Sequence, residues 1–70
     1  MNGFVIFSNP SDQQNFLDEM SRTSATSKLA PSTLSVVYRN LELGEFEQLQ
    51  ACASVWGAKI QAARQYSWDV

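Results

Sequence analysis

Residues 41–65 read LELGEFEQLQACASVWGAKIQAARQ, and the fold turns on where this stretch stops being helix. The spacing predicts one long helix from about Glu42 to Gln65. With Glu42 as the cap, Leu41 and Phe46 occupy the two positions of a hydrophobic staple and Glu45 the third helical position. Glu42, Glu45 and Glu47 lie at its start, Lys59 and Arg64 toward its end, which complements the helix dipole. At about 1.5 Å per residue such a helix spans roughly 33 Å. Between Ala51 and Ala63 the polar side chains are Ser54, Lys59 and Gln61. Leu49, Cys52, Trp56, Ile60 and Ala63 make one apolar stripe, and Ala51, Val55, Ala58 and Ala62 make a second.

A helix apolar around most of its circumference is normally buried, and a short chain has little else to cover it. Ser54, Ala58 and Ala62 recur every four residues, and small side chains let a second helix approach closely. This reading predicts a twofold homodimer through Ala51, Ser54, Val55, Ala58 and Ala62. The alternative places the helix at the centre of a monomer, under the sheet and the first helix. Trp56, Tyr66 and Trp68 are the candidate partner-binding residues, because tryptophan and tyrosine concentrate at binding hot spots. They also serve as partly buried residues of small cores.

Working upstream, Phe4-Val5-Ile6-Phe7 suits a pleated strand, with both faces at least partly covered because the run does not alternate. Asn9-Pro10-Ser11-Asp12 reads as a helix start: a capping side chain, proline at the first position, and an acid at the positive end of the dipole. That helix runs to about Met20 or Arg22, with Phe16, Leu17 and Met20 as its apolar stripe. Residues 21–33 are rich in Ser and Thr and read as a mobile loop, with Leu29 as a pin to the core. Leu34-Ser35-Val36-Val37-Tyr38 reads as a second strand, with Leu34, Val36 and Tyr38 on one face; the short run leaves helix open as an alternative. The fold class is thus α/β (α+β), a single small domain over 1–70 ordered strand–helix–strand–long helix. A two-stranded sheet alone is marginal, so the expectation is that dimerisation completes it.

Bulk composition sets further bounds. Seventy residues make one domain, and a core of that size usually needs a staple. The single Cys52 forms no internal disulfide, and the absence of histidine removes the usual zinc ligands. Oligomerisation or a partner protein is the staple left. A free thiol favours a reducing compartment, and no apolar run reaches the ~18–20 residues of a membrane span; the expectation is a cytoplasmic, non-exported protein with no membrane contact. Net charge is −2, and the five cations, Arg22, Lys28, Arg39, Lys59 and Arg64, are scattered. That disfavours a nucleic-acid partner.

Gly3-Phe4-Val5-Ile6-Phe7-Ser8-Asn9-Pro10-Ser11-Asp12 resembles the third strand and following helix start of an RNA-recognition motif. Gly3 to Phe7 match the last five positions of that family's ribonucleoprotein octapeptide, and Phe16 to Met20 sit where its helix packs on the sheet. The resemblance implies that Phe4 stacks on a base of single-stranded RNA, with Phe7 on the same face. Asn2 stands where the octapeptide has its other stacking aromatic, and the resemblance covers about 20 residues.

Nothing in the sequence assembles a reaction. Cys52 lies within an apolar run, where a thiol is usually inert packing. The carboxylates fall on solvated helix faces, and the three glycines are isolated. The reading is therefore a non-enzymatic protein-interaction module of accessory or inhibitor type, without cofactor or metal, acting on another protein. Size and lack of chemistry suggest a phage or mobile-element origin. Single-stranded RNA binding through Phe4 and Phe7 is the alternative.

Overall fold

The computed structural model describes residues 1–62. In chain order the elements are β1 (Gly3–Ile6), α1 (Pro10–Met20), a 3₁₀ turn (Ser24–Lys28), β2 (Leu29–Ser32), β3 (Ser35–Tyr38), α2 (Leu43–Val55) and β4 (Lys59–Ala62). The four strands form one antiparallel sheet in the order β2-β3-β1-β4. This is the connectivity of the split β-α-β, or ferredoxin-like, motif. Both helices lie on one face of the sheet, so the fold is a two-layer α+β sandwich.

Residue 57 overturns the long helix. Gly57 has a φ of +66°, and α2 closes there in a Schellman turn. The Ala58 N–H donates to the Ala53 carbonyl at 3.0 Å, and the Gly57 N–H donates to the Ser54 carbonyl at 3.2 Å. Beyond the turn, Lys59-Ile60-Gln61-Ala62 alternates polar and apolar with period two and pairs with β1. The alanines of this segment suit a helix well, which hides the alternation. The start of α2 is as read: the Glu42 N–H donates to Glu45 Oε1 at 3.0 Å, and Leu41 and Phe46 both join the core.

The first helix also follows its sequence. Asn9 Oδ1 accepts from the Asp12 N–H at 2.9 Å, Pro10 takes the first position, and Phe16 and Met20 are fully buried. Residues 21–33, read as loop, carry the 3₁₀ turn and the edge strand β2. Thr23 caps that turn by accepting from the Ala25 N–H at 3.3 Å. The pairing of Arg39 N–H with the Lys28 carbonyl sets the alternation of the β2–β3 ladder. Pro31 then falls at a non-hydrogen-bonded pair, with its missing donor on the outer edge, where proline is tolerated and blunts further pairing. β2 and β3 join through a two-residue turn, Thr33–Leu34. Leu34 adopts φ +57° in that turn rather than extending β3, so the second strand is Ser35–Tyr38. Val36 and Tyr38 face the core as expected.

The chain thus supplies four strands of its own, and the sheet does not need a second subunit to reach a stable size. The core comprises Val5, Phe7, Val36 and Tyr38 from the strand layer, and Phe16, Met20, Leu41, Leu49 and Ala53 from the helical layer and its approach, with Ala25 beneath the 3₁₀ turn. Phe7 and Phe16 meet at a centroid distance of 5.1 Å, Tyr38 and Phe46 at 5.8 Å. Gly3 makes room for Tyr38: a Cβ there would lie 2.5 Å from the Tyr38 hydroxyl and 2.5 Å from the Gln61 carbonyl oxygen.

Candidate functional site: a groove between the helices and an open sheet face

Where α1 ends and α2 enters its last two turns, the helices diverge around a groove of about 440 Å³. That volume falls in the range of side-chain and small-ligand pockets, about 300–1,000 Å³. Glu19, Met20 and Thr23 form one wall. Gln48, Ala51, Cys52, Val55 and Trp56 form the other, at the three- and four-residue spacing that puts side chains on one helical face. Val55 is 72% exposed, while Cys52 and Trp56 are half-buried. Glu19 is the one charged residue among these.

Cys52 carries the one thiol of the groove. Burial, followed by the nearby Glu19 carboxylate, pushes the Cys52 thiol pKa up, and contact with Trp56 draws it back in part. Sγ makes a long, 4.0 Å donor contact with the Phe16 carbonyl. Trp56 Nε1 is buried without a hydrogen-bond partner among the described residues. Among the described residues no group of three or more His, Cys, Asp or Glu side chains converges as a metal site would require.

The residues singled out in the sequence separate in space. Ala51, Ser54 and Val55 lie on the exposed part of α2, and two of them, Ala51 and Val55, line the groove beside Trp56. Ala58 sits in the Schellman turn and Ala62 on β4, so the small-residue stripe does not continue as one helical surface. Tyr66 and Trp68 lie outside the described residues. Glu19, Met20, Thr23 and Gln48 were not singled out, because their part in the groove depends on how α1 packs against α2.

Among the described residues, the other face of the sheet carries no helix. Directly opposed residues share a face, so the register defines two rows across the four strands: Ala30, Val37, Phe4, Gln61, and Ser32, Ser35, Ile6, Lys59. Phe4 lies on this face, half-buried. Phe7 does not: it is 4% exposed and packs on Phe16 beneath the helices. Three residues apart on a period-two strand, the two rings must point opposite ways, which corrects the pairing of Phe4 with Phe7 as stacking residues. The segment that carries them is also the first strand of the sheet, not the third.

Charge is divided between the layers. The carboxylates of residues 1–62 are Asp12, Asp18, Glu19, Glu42, Glu45 and Glu47, all on the two helices or at the α2 cap. The two rows of the open sheet face contain none, and they contain Lys59. Among the described residues the one ion pair is Lys28–Glu45, 2.7 Å, which ties the 3₁₀ turn to the start of α2. Glu45 also accepts from the Glu42 N–H and from the Ser24 hydroxyl. The Glu42 N–H bond first, then Lys28, holds the Glu45 carboxyl below its ordinary pKa. No helix among the described residues is long and apolar enough to cross a membrane. Comparison with known protein families, curated proteins and solved structures finds no match to this chain.

Proposed function

We propose that the protein is a non-enzymatic interaction module, of accessory or inhibitor type, that docks a basic, apolar segment of another protein in the α1–α2 groove. The observation that carries this reading is Val55, 72% exposed on an apolar groove whose other wall ends in Glu19. An amphipathic helix laid in a hydrophobic groove is a common recognition mode. Charge selects the partner's chemistry, because the carboxylates of the described residues gather on the helical layer and, among those residues, Glu45 alone is in an ion pair. A second copy of the chain docked symmetrically would set these carboxylates against each other, which weakens an interface. Self-association through Ala51, Ser54 and Val55 is the competing use of the same surface.

The test is a titration with an amphipathic leucine–lysine peptide, followed by Trp56 fluorescence in a Trp68→Phe background. The reading expects saturable binding that Val55→Asp weakens by about tenfold, the order of 1.4 kcal/mol. A leucine–glutamate peptide binding equally well would refute it. Light scattering on the free chain separates the competing use: a stable dimer near twice 7.8 kDa, abolished by Val55→Asp, would assign the groove to self-association.

A further inference from the structure

A second concavity, about 340 Å³, opens at the β2–β3 edge, away from the α1–α2 groove. Its polar lining is Ser27, Lys28, Arg39 and Asn40, and its apolar floor includes Ala30 and Val37. Arg39 has no carboxylate partner among the described residues, whereas Lys28 already binds Glu45. The pocket therefore carries about one uncompensated positive charge, on a guanidinium that offers several donors in a planar fork suited to phosphate. Asn40 is held in a left-handed conformation at φ +58°, and its N–H donates to Asn2 Oδ1 at 2.8 Å. The turn that presents Arg39 and Asn40 is thus tied to the residue that precedes β1.

Ala30 and Val37 belong to the row that continues into Phe4 on the open sheet face. Phe4 lies one strand over and two residues along from Arg39, roughly 8 Å by ordinary strand spacing. A pocket edged by an unpaired guanidinium, beside an apolar row with one aromatic ring on a face whose rows lack carboxylates, fits a phosphate ester carrying a planar base. We propose that this pocket is a nucleotide site, with the phosphate at the Arg39 guanidinium and the base lying on Val37 and Phe4. Stacking on a single ring is sequence-tolerant, because every base presents a π face. The site is independent of the groove between the helices, and either can stand without the other.

The test is binding followed by amide NMR at low salt, where phosphate contacts are strongest. The probes are adenosine monophosphate, adenosine, inorganic phosphate, a short oligoadenylate and a polyglutamate peptide. Expected are saturable shifts at Phe4, Val37, Arg39 and Asn40 with the monophosphate, and affinities lower by about tenfold or more for adenosine and for phosphate alone. Arg39→Gln, an exposed change that leaves the core untouched, should lose most of the binding. If the oligoadenylate binds tighter than the monophosphate, the phosphate comes from a single strand; if the two are equal, from a free nucleotide. Each of these supports the site. Inorganic phosphate binding as tightly as the monophosphate, polyglutamate shifting the same amides equally, no saturable binding, or Arg39→Gln retaining full affinity would overturn it.

Discussion

Tyr38→Phe should stabilise this protein, although it removes a polar group from the middle of its core. Tyr38 is 1% exposed, and its hydroxyl is buried with no hydrogen-bond partner among the described residues. A buried polar group left unpaired costs about 1–3 kcal/mol. Removing the oxygen leaves a void of order 10 Å³, worth about 0.2–0.3 kcal/mol at the usual cavity coefficient. The expected balance is a gain of about 1 kcal/mol, or roughly 4–8 °C in Tm for a domain of this size. Thermal and urea unfolding at pH 7 measure it. The same hydroxyl is one of the atoms a Cβ at Gly3 would strike. Gly3→Ala should therefore cost about 1–3 kcal/mol by overpacking, and most of that cost should persist in the Tyr38→Phe background, because the ring carbon Cζ at 2.7 Å and the Gln61 carbonyl oxygen at 2.5 Å still meet the added Cβ. Burial also raises the Tyr38 pKa above 10.0. The folded value exceeds the unfolded one, so this contribution is fully present below pH 10 and is lost as pH rises through the folded value. Tyr38→Phe removes that dependence. A clear loss of stability in Tyr38→Phe at pH 7, or a Gly3→Ala cost that vanishes in the Tyr38→Phe background, would refute the reasoning.

Further outcomes follow from the same contacts. Gly57→Ala places a Cβ at φ +66° and should cost about 1 kcal/mol in urea unfolding, since a left-handed residue at this position favours glycine. Phe7→Ala should cost about 3–5 kcal/mol as a core truncation, and Phe4→Ala distinctly less; equal costs would mean that the two rings share a face. Glu45 has a folded pKa below its ordinary 4.5, so its contribution is present above pH 4.5 and is lost as pH falls through the lowered value. Glu45→Gln should flatten that part of the acid limb, and an unchanged pH profile would count against the Glu42–Lys28–Ser24 arrangement around it.

How much of this was legible in the sequence depends on the range of the signals. Short-range chemistry was readable: the Asn9 cap with Pro10, the Phe16–Met20 stripe, the staple of Leu41 and Phe46, and the inward pair Val36 and Tyr38. The errors came where a local signal had two meanings. Gly57 stands within an apolar, alanine-rich run, where it reads as one more small residue; only the returning pair of hydrogen bonds to Ala53 and Ser54 reveals it as the end of a helix. Leu34 holds a left-handed turn position usually taken by glycine or asparagine, so nothing marked Thr33–Leu34 as a hairpin. Ser and Thr content marked residues 21–33 as loop, and the edge strand β2 within them accommodates Pro31 because its missing donor faces outward. Net charge −2 concealed the division of charge between layers, because that division exists only once the strands are paired. The groove was half legible: Ala51, Val55 and Trp56 share one helical face, whereas Glu19 and Thr23 join them only through the packing of α1 on α2.

The account rests on the α1–α2 groove as the working surface, and a residue-resolved amide NMR titration with the leucine–lysine peptide tests it most directly. It predicts shifts concentrated at Glu19, Thr23, Gln48, Ala51, Cys52, Val55 and Trp56, with the amides of β2 and β3 unmoved. Shifts confined to the sheet face, or an equal response to the leucine–glutamate peptide, would contradict it.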